Sequence, residues 1–170
     1  MLVSFWMTQR LTREINELEK RVMDKQIELS NYQKYSSMLG SSSIITAGNI
    51  AGLSAGLLPR ASLFAQYTHQ ASAMSASQNM QMMRMMGQIP TLPDPLMQQQ
   101  FELSAYNQFR EQALKALKQQ EASVLNEKEK AIQLELNELE HDLNIKRKRL
   151  EKYNELKASR VEDFAPKFGL

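Results

Sequence analysis

No cysteine occurs among the 170 residues, which excludes disulfide staples and thiolate chemistry and leaves the compartment open. Aromatic residues make up only 7% with a single Trp, so the chain can bury helix faces but has little with which to wrap a large core. Part of its apolar surface is therefore expected to meet another helix, another subunit or a membrane. A membrane span needs about 20 largely apolar residues. The strongest run here, 44–58, is shorter and carries Thr46, Asn49 and Ser54. The formal charge is +2, which does not imply a nucleic-acid partner. The N-terminus MLVSFWMTQR has no basic residue before its apolar start and no small-residue cleavage site soon after, and is expected to be mature structure, not a cleaved signal.

Charge is segregated, and this divides the chain better than its total. Residues 1–35 carry six Lys/Arg and five Asp/Glu, residues 101–163 carry twelve and thirteen, and nothing between Lys34 and Arg60 is charged. Four regions follow: 1–37, an N-terminal amphipathic helix; 38–95, a Gly/Ser/Met-rich assembly or connector region; 96–161, a long coiled-coil-like helix; and 162–170, a tail. In the first, Leu11, Ile15, Leu18, Val22, Leu29 and Tyr32 recur at helical spacings over 8–37, with Lys25 in the missing seam position. Thr8 and Thr12 are both candidate helix starts. A helix of about 45 Å with one apolar stripe wants a neighbour.

In the middle region Gly48, Gly52 and Gly56 repeat every four residues. On a helix they would share one face and let another backbone approach closely, at a cost of about 1 kcal/mol each relative to alanine. The segment reads as a Gly/Ser connector, as a tightly packed helix at a subunit contact, or as a membrane contact through 44–58. Six methionines follow between Met74 and Met86, among them Met82, Met83, Met85 and Met86. Their flexible thioethers suit either core filling or an adaptable partner face; a copper site is disfavoured because no His or Cys is adjacent. PTLPDP at 90–95 breaks any helix and turns the chain.

Residues 96–161 contain neither Gly nor Pro. Leu125, Ile132, Leu139, Lys146 and Tyr153 repeat by seven, and Leu136, Leu143 and Leu150 form a second series beside them, the spacing of a left-handed coiled coil. Unbroken, this helix would reach about 95–100 Å; a break near Gln119–Gln120 is the alternative. The N-terminal helix would cover about half of it by returning antiparallel.

Catalytic chemistry has little support. His69 and His141 sit in unrelated settings, Glu138, His141 and Asp142 make a weak zinc proposal, and there is no phosphate-binding glycine loop or nucleophile elbow. No cofactor or metal is expected. Lys146–Arg149 is a basic run that wraps around one turn without an aromatic platform, so a charged helix surface is favoured over contact with an acidic protein or with nucleic-acid or membrane phosphate. Val3, Phe5 and Trp6 at one end and Phe164 and Phe168 at the other would form an apolar end cap if the helices return antiparallel.

The expected fold is all-α, a long helical hairpin or coiled-coil-like assembly with a Gly/Ser/Met-rich middle region. Charged helical ends around such a middle broadly resemble the helical components of secretion machines and phage particles, in architecture only. The implied function is a structural, self-assembling, non-enzymatic subunit, its partners copies of itself or other helical subunits. The expected contacts are Gly48, Gly52, Gly56, Met82, Met83, Met85, Met86, Leu125, Ile132, Leu139, Leu143 and Leu150. A membrane-active translocation component and a cytosolic coiled-coil adaptor or chaperone are the alternatives; nucleic-acid contact is only weakly supported.

Overall fold

A computed structural model describes residues 2–40 and 50–164, with side chains described over 5–40 and 50–159. The protein is all-α, and the described residues form three helices: α1, Leu2–Gly40; α2, Leu58–Met85; and α3, Pro95–Phe164. The first helix runs beyond 8–37 at both ends. Neither threonine starts it, because Thr8 donates to the Phe5 carbonyl and Thr12 to the Thr8 carbonyl, each at 2.8 Å, back-bonds made inside a helix already under way. The last helix passes through Gln119–Gln120 without a break, as good helix formers free of Gly and Pro allow.

The turn between α2 and α3 is built from residues suited to each end. Gly87 takes φ +67°, and the amides of Gly87 and Gln88 return to the carbonyls of Arg84 and Met83 at 3.1 and 2.9 Å. That is a Schellman closure, which requires the left-handed conformation glycine tolerates. Asp94 then caps α3, accepting from the Leu96 amide at 3.0 Å, with Pro95 as first helical residue, where its missing N–H has no role.

The chain divides into two compact units. The first comprises Met1–Ser30 and Lys130–Leu170. Its core joins Ile15, Leu18 and Val22 of α1 to Leu136 and Leu143 of α3, flanked by Leu29, Leu139 and Leu150. Lys25 reaches Glu135 while Glu14 reaches Lys146, so the two segments run antiparallel.

The second unit, Asn31–Glu129, is a three-helix bundle made from the end of α1, all of α2 and the beginning of α3. Its core gathers Tyr35, Leu39, Ile50, Leu53, Leu57, Ala61 and Leu125, with Tyr32, Met38, Phe64 and Ala122 against it. Arg60 pairs with Glu121 and Arg84 with Glu102, so α2 and this part of α3 are also antiparallel.

Leu125 is fully buried and Leu143 nearly so. Truncating either to alanine removes apolar contacts and leaves a cavity. We expect each to lower unfolding stability by about 2–5 kcal/mol in urea titration. Leu134→Ala, at a position 63% exposed, should change it by no more than about 0.5 kcal/mol.

Candidate interaction surface

In the second unit one carboxylate ties three helices together. Arg60 on α2 donates from Nε to Glu121 Oε1 at 2.6 Å and from Nη2 to Oε2 at 2.9 Å, the two-pronged geometry that only a guanidinium offers. The Tyr35 hydroxyl on α1 approaches the same Oε1 at 3.4 Å. Glu121 retains little solvent exposure and Tyr35 none. Burial pushes the Tyr35 phenol well above its ordinary pKa, and the adjacent Glu121 charge pushes it further, with Arg60 opposing. The Glu121 carboxylate holds the Arg60 guanidinium more firmly protonated than usual.

α2 presents two contrasting faces. Toward the bundle it buries Ala61, Thr68, Ser72, Ala76 and Met80, mostly small side chains at spacings of four or seven. The buried hydroxyls do not need partners on another helix: Thr68 donates to the Ala65 carbonyl and Ser72 to the His69 carbonyl, each at 3.1 Å. On the outward side, Leu63, Tyr67, Met74, Met82, Met85 and Met86 are exposed. Near the Met-rich turn, Leu96, Met97 and Leu103 of α3 are exposed as well. Between Arg60 and Arg84 there is no Lys, Arg, Asp or Glu.

The first unit is finished differently, with charge. Lys25 and Lys146, in seam positions, are half-buried and extend to carboxylates on the facing helix, Lys25 Nζ to Glu135 at 2.7 Å and Lys146 Nζ to Glu14 at 2.7 Å. Hydrogen bonds from Lys146 and Arg10 hold the Glu14 carboxyl below the usual range, and Glu135 with Glu28 holds Lys25 above its own. Arg147 meets Glu19 at 2.7 Å, so half of the basic run Lys146–Arg149 is engaged within the unit. Two open grooves, of about 480 and 410 Å³, flank the seam; Asp24, Glu28, Glu135, Glu138 and Asp142 line the larger.

The expected contact residues fall into three groups. Leu125 belongs to the core of the second unit, while Leu139, Leu143 and Leu150 join that of the first, where Ile132 is also buried. Met82, Met85 and Met86 are exposed and Met83 is half-buried. Gly48 lies outside the described residues. Gly52 and Gly56 do not share a helix face: the chain turns repeatedly from Ile50 to Leu57, closed by Leu53 N to Ile50 O and Leu57 N to Ser54 O, both 3.0 Å. Glycine's poor helicity wins there, and no neighbouring group crowds either position. Small buried residues lie instead on α2, where the recurrence of Ala61, Thr68, Ser72 and Ala76 was the available signal.

The aromatic end cap does not form on the α1 side that is described, since Phe5 and Trp6 are exposed and Arg10 stacks over the Trp6 ring at 5.8 Å. Val3, Phe164 and Phe168 lie outside the described side chains. Among the described residues, no helix is long and apolar enough to cross a membrane, and no group of three or more His, Asp or Glu could hold a metal ion. Comparison with protein-family models, with curated proteins and with solved structures gives no match.

The Glu121 knot and the buried phenol make two expectations. Arg60→Ala strands a poorly solvated carboxylate and should cost about 1–3 kcal/mol, with Arg60→Lys intermediate because an ammonium cannot form the fork, both read by chemical denaturation. A phenol whose folded pKa is raised contributes stability that is intact below its unfolded value of about 10 and is lost as pH rises through the folded value. Stability of the second unit should therefore fall above about pH 10, and Tyr35→Phe should flatten that decline while changing neutral-pH stability by less than about 1 kcal/mol.

Proposed function

We propose that this protein is a structural subunit that assembles with copies of itself or with other helical subunits, as a component of a larger helical device such as a secretion machine or phage particle. The observation that carries this reading is the concentration of exposed Leu, Met and Tyr on the outward face of α2 and the adjoining turn, in a stretch almost without charge. Large apolar side chains gathered in water on one uncharged face mark interaction sites in soluble proteins. In this reading the α1 and α3 stripes of the first unit form an antiparallel coiled-coil-like pair that gives rigidity, and α2 supplies the contact. The methionines allow that contact to adapt to its partner.

A second reading, contact with a lipid surface, is favoured by the exposed Met85, Met86, Leu96 and Met97 at the α2–α3 turn. It would be an interfacial contact, made by the apolar tip.

Light scattering combined with small-angle X-ray scattering on the full-length protein separates these readings. The assembly reading expects a discrete, concentration-dependent oligomer. A monomer at every concentration would contradict it, and co-flotation of that monomer with liposomes would favour the lipid contact instead.

A further inference from the structure

Leu63, Tyr67, Met74 and Met85 are 67%, 60%, 63% and 88% exposed. At 100° per residue they fall within about 40° of one another, forming a single stripe about 33 Å long. The other exposed positions along it are Gln and Ser, including Gln70, Gln78 and Gln81. The exposed positions of α1 in the first unit are, by contrast, crowded with charge, as at Glu17, Lys20, Arg21 and Asp24.

We propose that this face of α2 packs against the same face of a second copy, antiparallel, about a two-fold axis that passes Met74. The inference rests on the assembly reading above and names its contact. Leu63 and Met85 lie eleven residues to either side of Met74, and Tyr67 and Gln81 lie seven. A two-fold operation therefore sets Leu63 against the partner's Met85, and Tyr67 against the partner's Gln81, whose side-chain carbonyl can accept from the phenol.

Electrostatics selects the same direction. A parallel pairing would align the two helix dipoles, whereas the antiparallel one opposes them; Arg84, at the flank of the stripe, is already paired with Glu102. Leu63, Tyr67, Met74 and Met85, at on the order of 60–120 Å² each, supply about 240–480 Å² of the roughly 800 Å² per partner of a specific interface, and the exposed Gln70, Ser77, Gln78 and Gln81 between them add to it. A lipid surface would strip water from the Gln70, Gln78 and Gln81 amides without replacing their hydrogen bonds; amides of a second copy can replace them.

The absence of cysteine makes the register directly measurable by single-cysteine cross-linking of the full chain. Under mild oxidation Met74→Cys should form a disulfide dimer. Leu63→Cys and Met85→Cys should each fail alone and cross-link to one another when mixed. A charge test covers the same geometry: Gln70 faces the partner's Gln78, so Gln70→Glu with Gln78→Glu should weaken association by at least about tenfold, while Gln70→Lys with Gln78→Glu should retain it. Leu63→Cys or Met85→Cys self-dimers, or equal behaviour of the two charge pairs, would overturn the proposed pairing. An oligomer by light scattering with no α2 cross-link would overturn this contact alone; a monomer throughout would overturn the assembly reading with it.

Discussion

The carboxylate of Glu121 is the point on which the second unit depends. It lies on α3, receives both prongs of the Arg60 guanidinium from α2, and lies beside the Tyr35 hydroxyl of α1. One turn further along α3, fully buried Leu125 joins the apolar cluster of Tyr35, Leu39, Leu57 and Ala61. A polar fork and an apolar plug thus fix the same three helices at neighbouring levels. Apolar packing alone tolerates sliding of one helix along another, whereas a two-pronged ion pair with little exposure is satisfied at one register. With α2 held there, its small-residue face turns inward and its Leu/Tyr/Met face is left outward.

The two units meet water in different ways. The first surrounds its seam with Lys, Arg, Glu and Asp, and even its seam lysines find carboxylates across the pair. Individually such pairs contribute little to stability, but together they keep the surface hydrated and disfavour indiscriminate packing. The stripe from Leu63 to Met85 has no such protection, its exposed positions being glutamine, serine and large apolar groups. In the assembly proposed above, that is the face a second copy covers.

Much of this architecture is written plainly in the sequence, because long apolar periodicities without glycine or proline have few alternatives. The stripe from Ile15 to Val22 and the series through Leu136 and Leu143 are buried together, and PTLPDP does separate α2 from α3. The glycines were less legible: a four-residue repeat suits either a helix face or successive turns, and Gly52 and Gly56 adopt turns. The Glu121 knot could not be read in advance, since it joins residues 61 and 86 positions apart that carry no shared periodicity. Arg60, closing the uncharged stretch after Lys34, was its one visible trace. The stripe from Leu63 to Met85 was hidden by its glutamines, which dilute the apolar signal without adding charge.

Sedimentation velocity at increasing salt tests most directly whether assembly proceeds through the uncharged face of α2. From about 0.1 M to about 1 M salt the screening length shrinks from about 10 Å to about 3 Å, which weakens contacts between exposed charges and leaves apolar and amide contacts intact. The account expects the oligomer to persist or to tighten across that range. Dissociation as salt rises would contradict it and would place the contact on the charged surfaces of the first unit.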